Sequence, residues 1–457
     1  MTNRIVVDTN IILLDIGNLY ALAQRYPDCT ICIPETVVEE LDSKKDLQNV
    51  LGYQARSFGR LVAKSTSSTS PLTRKIKETS YESPDKLTFS IISSNKYPSE
   101  CNDSGKLSND NKIIYIANEL DALLVSNDIM CRIRAQAKGV PVTDFKDVEN
   151  INVKFTQELT VPPTDFKALH LKSIHEVDPD YKSFYFSYVF KDSSNGSTKL
   201  GIIINDTIKV IGKETEKELR TQEINPRNKE QLILSALIQD PTTDITVCES
   251  RAGSGKTLVA ISNAMKLADL HRQYESIIYL RNTVNDVGNK DEEIGFLSGN
   301  DEKIQGYLYP FYDSLSSIIR NKPGLKDKPK RHIEETYERE MEALINKYDM
   351  TPMVALGLRG RTLDNSIIII DEAQNISKAT MQKILSRVGQ NCKVIVLGSL
   401  RQIDSAYVTK YTSGLSVLLD STKRTDLPVK LNAVTLKKVV RGKITEFSEM
   451  IFSQEYK

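Results

Sequence analysis

The chain of 457 residues is 40% hydrophobic and 26% charged, and its 61 basic side chains nearly cancel its 60 acidic ones. That balance excludes a nucleic-acid affinity driven by the charge of the whole molecule and leaves any such binding to a local groove. No stretch approaches the ~20 apolar residues of a membrane span, and the length is that of two or three domains.

Residues 1–150 alternate apolar runs (IVVD, TICIP, LTFSII, ALLVSN, VPV) with helical stretches, the pattern of a parallel α/β sheet. The opening MTNRIVVDTN does not read as a signal peptide, so none is expected, its apolar run being cut short at Asp8. Six dispersed cysteines suit a reducing compartment, so a cytoplasmic protein is expected. Cys29 and Cys32 have C-x-x-C spacing, but CTICIP reads as a strand, on which positions three apart face opposite sides. A core role is therefore expected there rather than zinc or redox chemistry. The polar segments 64–71 and 93–105 read as loops. With only four isolated histidines, a metal would have to be held by carboxylates. Asp8 and Asp128 follow strand-like runs and should emerge at the carboxyl edge of the sheet, where open α/β folds place their sites. Glu40 and Asp110 open or ride helices beginning near the same edge. Four such carboxylates offer hard oxygen ligands to one or two Mg²⁺ or Mn²⁺ ions, which can activate water for phosphodiester hydrolysis. Strand-end aspartates also serve as helix caps, and spacing alone leaves both readings open.

Residues 151–222 read as a small β-rich module, with SFYFSYVF, KLGIIIN and TIKVIG around SSNGS. INPRNKEQLILSALIQD then reads as a capped amphipathic helix leading into a second α/β unit over 223–457. There TVCESRAGSGKT and SIIIIDEAQN pair a glycine-rich loop with a later Asp-Glu strand end. The amides around Ala252, Gly253, Ser254 and Gly255 are expected to form an anion nest at a helix N-terminus. Lys256 should reach the β- and γ-phosphates of ATP, and the Thr257 hydroxyl should bind Mg²⁺. Asp371 is expected to hold that ion through water, and Glu372 to orient or deprotonate the attacking water. A glycine turn between strand and helix would look alike locally, but the second motif, about a hundred residues on, argues against it. The stretch 322–348, a basic loop followed by a charged helix, reads equally as solvated surface or as a nucleic-acid contact.

The four acidic segments, with SND followed by IMCRIRAQAKGVPV, resemble a PIN domain, a family of metal-dependent ribonucleases, over the first 150 residues. The resemblance implies Asp8, Glu40, Asp110 and Asp128 as metal ligands, with Thr9, Asn10 and Ser126 as supporting polar groups. Glu39 is an alternative to Glu40, but Glu40 precedes Leu41 as the family pattern expects. Some PIN domains are scaffolds, which supplies the rival reading of this half. INPRNKEQ, EEIGFLSG, YLYPFYDSL, LRGRT, DEAQN and VVRGKI, in that order, resemble a PhoH-like ATPase fused to an N-terminal PIN domain. This is a toxin-related ribonuclease and RNA helicase arrangement. It implies a RecA-like P-loop core related to superfamily 1 helicases, working as a homo-oligomeric ring such as a hexamer.

The same resemblance gives roles to further residues. Gln231 would pair with the edge of adenine through its amide, with Asn228 either assisting or capping the helix. Gln374 and Gln402 would sense the γ-phosphate or its water. Arg441 is the arginine-finger candidate, with Arg359 and Arg361 as alternatives; any of these could instead grip a nucleic-acid phosphate or form a surface ion pair. Three positions depart from the family pattern. Ser250 stands where a glycine begins the P-loop, Asn282 where proline is usual, and Ser399 where an aspartate is expected. The expected function is ATP-dependent processing of single-stranded RNA, coupling unwinding or translocation to metal-dependent cleavage. DNA is not set apart as a substrate, because no residue identifies a 2′-OH contact. The alternative is a ring-forming RNA-binding ATPase with a silent PIN domain and no unwinding.

Overall fold

The computed structural model describes residues 3–47, 50–72, 76–84, 86–98, 101, 106–145, 154–221, 224–282, 301–322, 334–358, 361–404, 408 and 413–452. They fall into two compact units, Met1–Glu149 and Asn150–Lys457.

In the first unit, strands β1 (Arg4–Val7), β2 (Thr30–Pro34), β3 (Thr66–Pro71), β4 (Ile76–Glu82), β5 (Thr88–Ser94), β6 (Leu123–Val125) and β7 (Val142–Thr143) form a single sheet. Its order is β3-β4-β5-β2-β1-β6-β7, parallel from β5 to β7. Ile5, Val6 and Val7 are all buried, as are Ile31, Cys32 and Ile33. Strands covered on both faces need apolar side chains throughout rather than in alternation. All six cysteines are free thiols, Cys32 lying in the β2 core. The segment 64–71, expected as a loop, instead supplies β3, antiparallel to β4 with Thr69 and Thr79 hydroxyls 3.2 Å apart across the ladder. A Ser/Thr strand at a sheet edge has no apolar face, so hydropathy gives no sign of it.

The second unit begins with β8 (Thr156–Val161), β9 (Ser187–Asp192), β10 (Thr198–Ile204) and β11 (Thr207–Ile211), in the order β11-β10-β9-β8. One face of this sheet, with Tyr188, Phe190, Ile203 and Ile208, closes a small core of its own. The other face, with Leu200, Ile202 and Ile204, joins the main core around helix Lys229–Gln239. That helix, expected to be amphipathic, is buried at every position from Gln231 to Ile238. The β-rich sheet covers the side that would otherwise face water.

Strands β12 (Ile245–Ser250), β13 (Ser276–Arg281), β14 (Met350–Val354), β15 (Ser366–Asp371), β16 (Lys393–Gly398) and β17 (Leu431–Leu436) form an all-parallel sheet ordered β14-β13-β15-β16-β12-β17. This is the expected RecA-like arrangement, with one strand between the P-loop strand β12 and the Asp-Glu strand β15. Alternation sorts the side chains. Ile277, Tyr279, Ile367, Ile369, Ile395 and Leu397 face the helices Lys256–Leu270 and Asp301–Arg320, whereas Ile278, Ile368, Ile370 and Val396 fill the opposite core. Asp371 continues the first series. Helix Glu334–Lys347 docks through Leu344, with Tyr337, Met341 and Ile345 against the same core. Its polar face is what the charged sequence shows; the basic stretch 323–333, EEIGFLSG and Arg359 lie outside the described residues. No helix among the described residues is long and apolar enough to cross a membrane.

Candidate functional site

Parallel register brings the nucleotide motifs to one edge. Glu249 on β12 pairs with Gly398 on β16, and Arg281 on β13 pairs with Asp371 on β15, so these strands end together. Ala252, Gly253, Ser254 and Gly255 make the turn into helix Lys256–Leu270, with Gly253 and Gly255 at φ +68° and +81°. Lys256 is buried, and its ammonium lies 3.7 Å from Glu372 Oε1. The Thr257 hydroxyl donates to Asp371 Oδ2 at 3.0 Å. Glu372 sits in the left-handed region at φ +53°, a conformation that costs a non-glycine residue energy and tends to cluster at functional sites. Behind it, fully buried Gln374 donates to Glu372 Oε2 (2.6 Å) and to the Gln402 carbonyl (2.9 Å) and accepts the Ser399 N–H (3.0 Å). Gln374 therefore holds Glu372, and Gln402 enters this network through its main chain.

The departures have local explanations. Ser250 is the last residue of an extended strand and needs no positive φ; its hydroxyl donates to the Gly398 carbonyl at 3.3 Å. Asn282 donates from Nδ2 to the Asn375 carbonyl at 3.1 Å, a bond proline could not make. Buried Ser399 and Ser254 hydroxyls have no hydrogen-bond partner among the described residues. Unpartnered hydroxyls, a buried ammonium, and hard oxygens on Thr257 and Asp371 make a donor set that fits a triphosphate with Mg²⁺.

A second grip on the loop comes from far along the chain. The Val440 and Arg441 N–H groups both donate to the Gly253 carbonyl, at 2.9 and 3.1 Å. Glu230 Oε2 accepts the Lys437 and Lys438 N–H groups at 2.7 and 2.9 Å. Arg441 is thus at the P-loop with an exposed side chain, and Arg361 is exposed as well. Gln231 turns its amide to the protein, donating to the Ser254 carbonyl (2.7 Å) and accepting the Arg227 N–H (2.7 Å), while Asn228 caps the helix by accepting the Gln231 N–H. A methyl at Gly253 would meet Thr445 Cγ2 at 2.8 Å and Arg441 Cβ at 3.0 Å. Gly253→Ala is expected to lose about 1–3 kcal/mol of stability and to weaken nucleotide binding. Gly442→Ala, whose methyl meets open space, should change neither; urea unfolding and a nucleotide titration of both variants check this.

In the first unit Val7 pairs with Val125, so the next residues, Asp8 and Ser126, leave the sheet side by side. The Ser126 hydroxyl donates to Asp8 Oδ2 at 2.6 Å, Asn10 Nδ2 donates to the same oxygen, and the Thr9 N–H donates to Oδ1 at 2.6 Å. Thr9 donates its hydroxyl to Glu40, which also accepts Asn109 Nδ2 at 2.8 Å, whereas Glu39 is exposed. Asp110 pairs with Arg134, and Asp128 caps helix Ile129–Ala137 through the Met130 and Cys131 N–H groups. Burial, with Asp110 and Glu40 nearby, pushes the Asp8 carboxyl up to about 6, and burial pushes Asp110 up against the opposing Arg134. Among the described residues no three acidic, His or Cys side chains stand close enough to cage one ion as they lie. The donors are all hard oxygens, and a buried carboxylate of raised pKa is one that a cation would favour; Arg134 occupies that position at Asp110. The chemistry of the set suits Mg²⁺ or Mn²⁺, with Arg134 as the competing charge.

The residue the motifs do not reveal is Tyr279, whose hydroxyl donates to Asp371 Oδ2 at 2.7 Å. Its only trace in the sequence is parity, two positions before Arg281 in a strand.

A glycine-rich loop between a parallel strand and a helix, facing Asp371 and Glu372 across β16, defines the C-terminal half as a P-loop ATPase domain. Residues 223–453 match the model of the PhoH-like protein family, and residues 5–146 match a PIN domain model. The chain belongs to the PhoH-like protein family and carries an N-terminal PIN domain. It is 26% identical to Protein PhoH2 of Bacillus subtilis over 453 residues, covering 93% of this chain and 94% of that one. Identity to Protein PhoH2 of Thermobispora bispora is 24%, over 91% of this chain and 90% of the relative. Protein PhoH of Escherichia coli K12 is 31% identical over 186 residues, 40% of this chain and 46% of its own.

Proposed function

We propose that the chain is a cytoplasmic, ATP-driven RNA-processing enzyme in which hydrolysis moves or unwinds single-stranded RNA and the PIN half cuts the strand. The observation that carries this reading is the meeting of Lys256, Thr257, Asp371 and Glu372 at one sheet edge, in a chain that also bears a PIN domain. Lys256 offsets phosphate charge, the nest at Gly253–Gly255 cradles it, and Glu372, held by Gln374, orients the attacking water. Thr257 and Asp371 would hold Mg²⁺; Asp8, Glu40, Asp110 and Asp128 would hold Mg²⁺ or Mn²⁺, which when bound supplies an activated water and charge neutralisation. Gln231 braces the P-loop, and an adenine contact requires its amide to exchange the Ser254 and Arg227 partners. Arg441 completes the charge around the γ-phosphate. Assembly into a homo-oligomeric ring, hexameric in the simplest form, would align successive ATPase domains on one strand. Coupling serves a carboxylate nuclease because structured RNA hides the extended strand that it needs.

One observation favours the second reading, an ATPase with a silent PIN half. Arg134 neutralises Asp110, and among the described residues no three of the carboxylates stand close enough to cage one ion as they lie. End-labelled RNA with a hairpin and a single-stranded tail separates the two, run with Mg²⁺ or Mn²⁺, with and without ATP, and beside a DNA counterpart. ATP should advance cleavage into the hairpin, and both Asp8→Asn and Lys256→Ala should prevent that. Cleavage confined to the tail whatever the nucleotide sinks the coupling, and no cleavage leaves the PIN half a scaffold.

A further inference from the structure

We propose that Tyr279 is a positioning residue that holds the Asp371 carboxylate for Mg²⁺ in the nucleotide site, an inference that rests on the ATPase reading above. Tyr279 is fully buried in β13, with its ring against Phe311 of helix Asp301–Arg320 at a centroid distance of 5.3 Å. Its hydroxyl donates to Asp371 Oδ2 at 2.7 Å. The same oxygen accepts the Thr257 hydroxyl at 3.0 Å, and Oδ1 accepts the Glu372 N–H at 2.9 Å. Both carboxylate oxygens are therefore tied to the protein, and the side chain has no freedom to turn about its last torsion.

The two hydroxyls differ in duty. Thr257 must present its oxygen to a cation while its proton serves Asp371, and it is the second residue of helix Lys256–Leu270, just after the turn that a phosphate would engage. Tyr279 has no second duty, since its ring is locked in the core and its hydroxyl reaches a carboxylate. A phenol hydroxyl is protonated at neutral pH, so beside a carboxylate it acts as the donor. A neutral core would be served as well by phenylalanine or leucine. A buried hydroxyl needs a partner, and here the partner is the carboxylate that faces Thr257. A hydrogen bond to a charged acceptor is among the stronger ones, so removing it should be felt wherever Asp371 acts.

Tyr279→Phe in the full chain tests this, because it deletes the hydroxyl and leaves the ring on Phe311. Binding of a fluorescent ATP analogue is titrated in EDTA and again across an MgCl₂ series, phosphate release is followed over the same series, and the melting temperature is recorded. The variant should bind the analogue in EDTA as the wild type does and still melt cooperatively, at a somewhat lower temperature because a buried hydrogen bond to a charged acceptor is lost. The MgCl₂ needed for half-maximal tightening and for half-maximal phosphate release should rise by about tenfold or more, the effect of one hydrogen bond to a charged group. Superimposable MgCl₂ curves overturn the proposal, as does a weakening of equal size in EDTA and in MgCl₂, which would mark a merely structural role. Wild-type protein that neither binds the analogue nor releases phosphate would instead overturn the ATPase reading beneath it.

Discussion

Lys256→Ala is expected to lower phosphate release by about 100- to 1,000-fold, the scale on which one preorganised charge-stabilising donor acts. The lysine is buried at the N-terminus of its helix and lies 3.7 Å from Glu372. Its loss removes the charge that would meet the phosphates and leaves the Glu372 carboxylate without its cation. Both consequences weaken binding as well as turnover. Glu372→Gln should behave differently, because the amide can still accept from Gln374 and leaves Lys256 free for phosphate. Nucleotide affinity should survive in that variant while hydrolysis falls by a similar factor. Phosphate release together with analogue binding distinguishes the two; equal loss of affinity in both variants would contradict the assigned roles.

Asp8→Asn is expected to reduce RNA cleavage at least about 100-fold while leaving phosphate release intact, since Asp8 belongs to the PIN unit. It should also alter stability against pH in a defined direction. Burial pushes the Asp8 carboxyl up to about 6 from 3.8, with Asp110 and Glu40 adding to the effect. A raised folded-state value means that the folded chain binds the proton more tightly than the unfolded one. The stabilisation is complete below pH 3.8 and disappears as pH rises through 6. The shift corresponds to about 3 kcal/mol. Asparagine does not titrate, so between pH 4 and pH 8 the stability difference should move by about that amount in favour of the variant. Urea unfolding in EDTA, where no cation takes up the charge, measures it, and parallel pH profiles would refute the electrostatic account.

Much of the site could be read from contiguous residues. The glycine loop, Lys256 and Thr257 are consecutive, and the loop's φ values of +68° and +81° at Gly253 and Gly255 need only glycine itself. Asp371 and Asp8 are legible because each ends an apolar run, and a parallel strand delivers its last residue to the carboxyl edge whatever lies beside it. Other readings needed neighbours that no local pattern names. The polar strand β3 has no apolar face, and helix Lys229–Gln239 lost its water-facing side because β10 and helix Lys213–Leu219 also pack against it.

Composition and local periodicity by themselves determined the two α/β units, the P-loop and its Asp-Glu partner, because each is written in a short run of residues, whereas the four acids were grouped only through the family resemblance. The tertiary structure alone decided that Gln231 spends its amide on Ser254 and Arg227, that Arg134 takes Asp110, that Val440 and Arg441 hold Gly253, and that Tyr279 reaches Asp371. Apart from the Arg227 contact, four residues away, each of those contacts joins residues far apart in the chain. Their meeting depends on which strands become neighbours and in what register, and that is settled by the packing of both faces of a sheet at once rather than by any single segment.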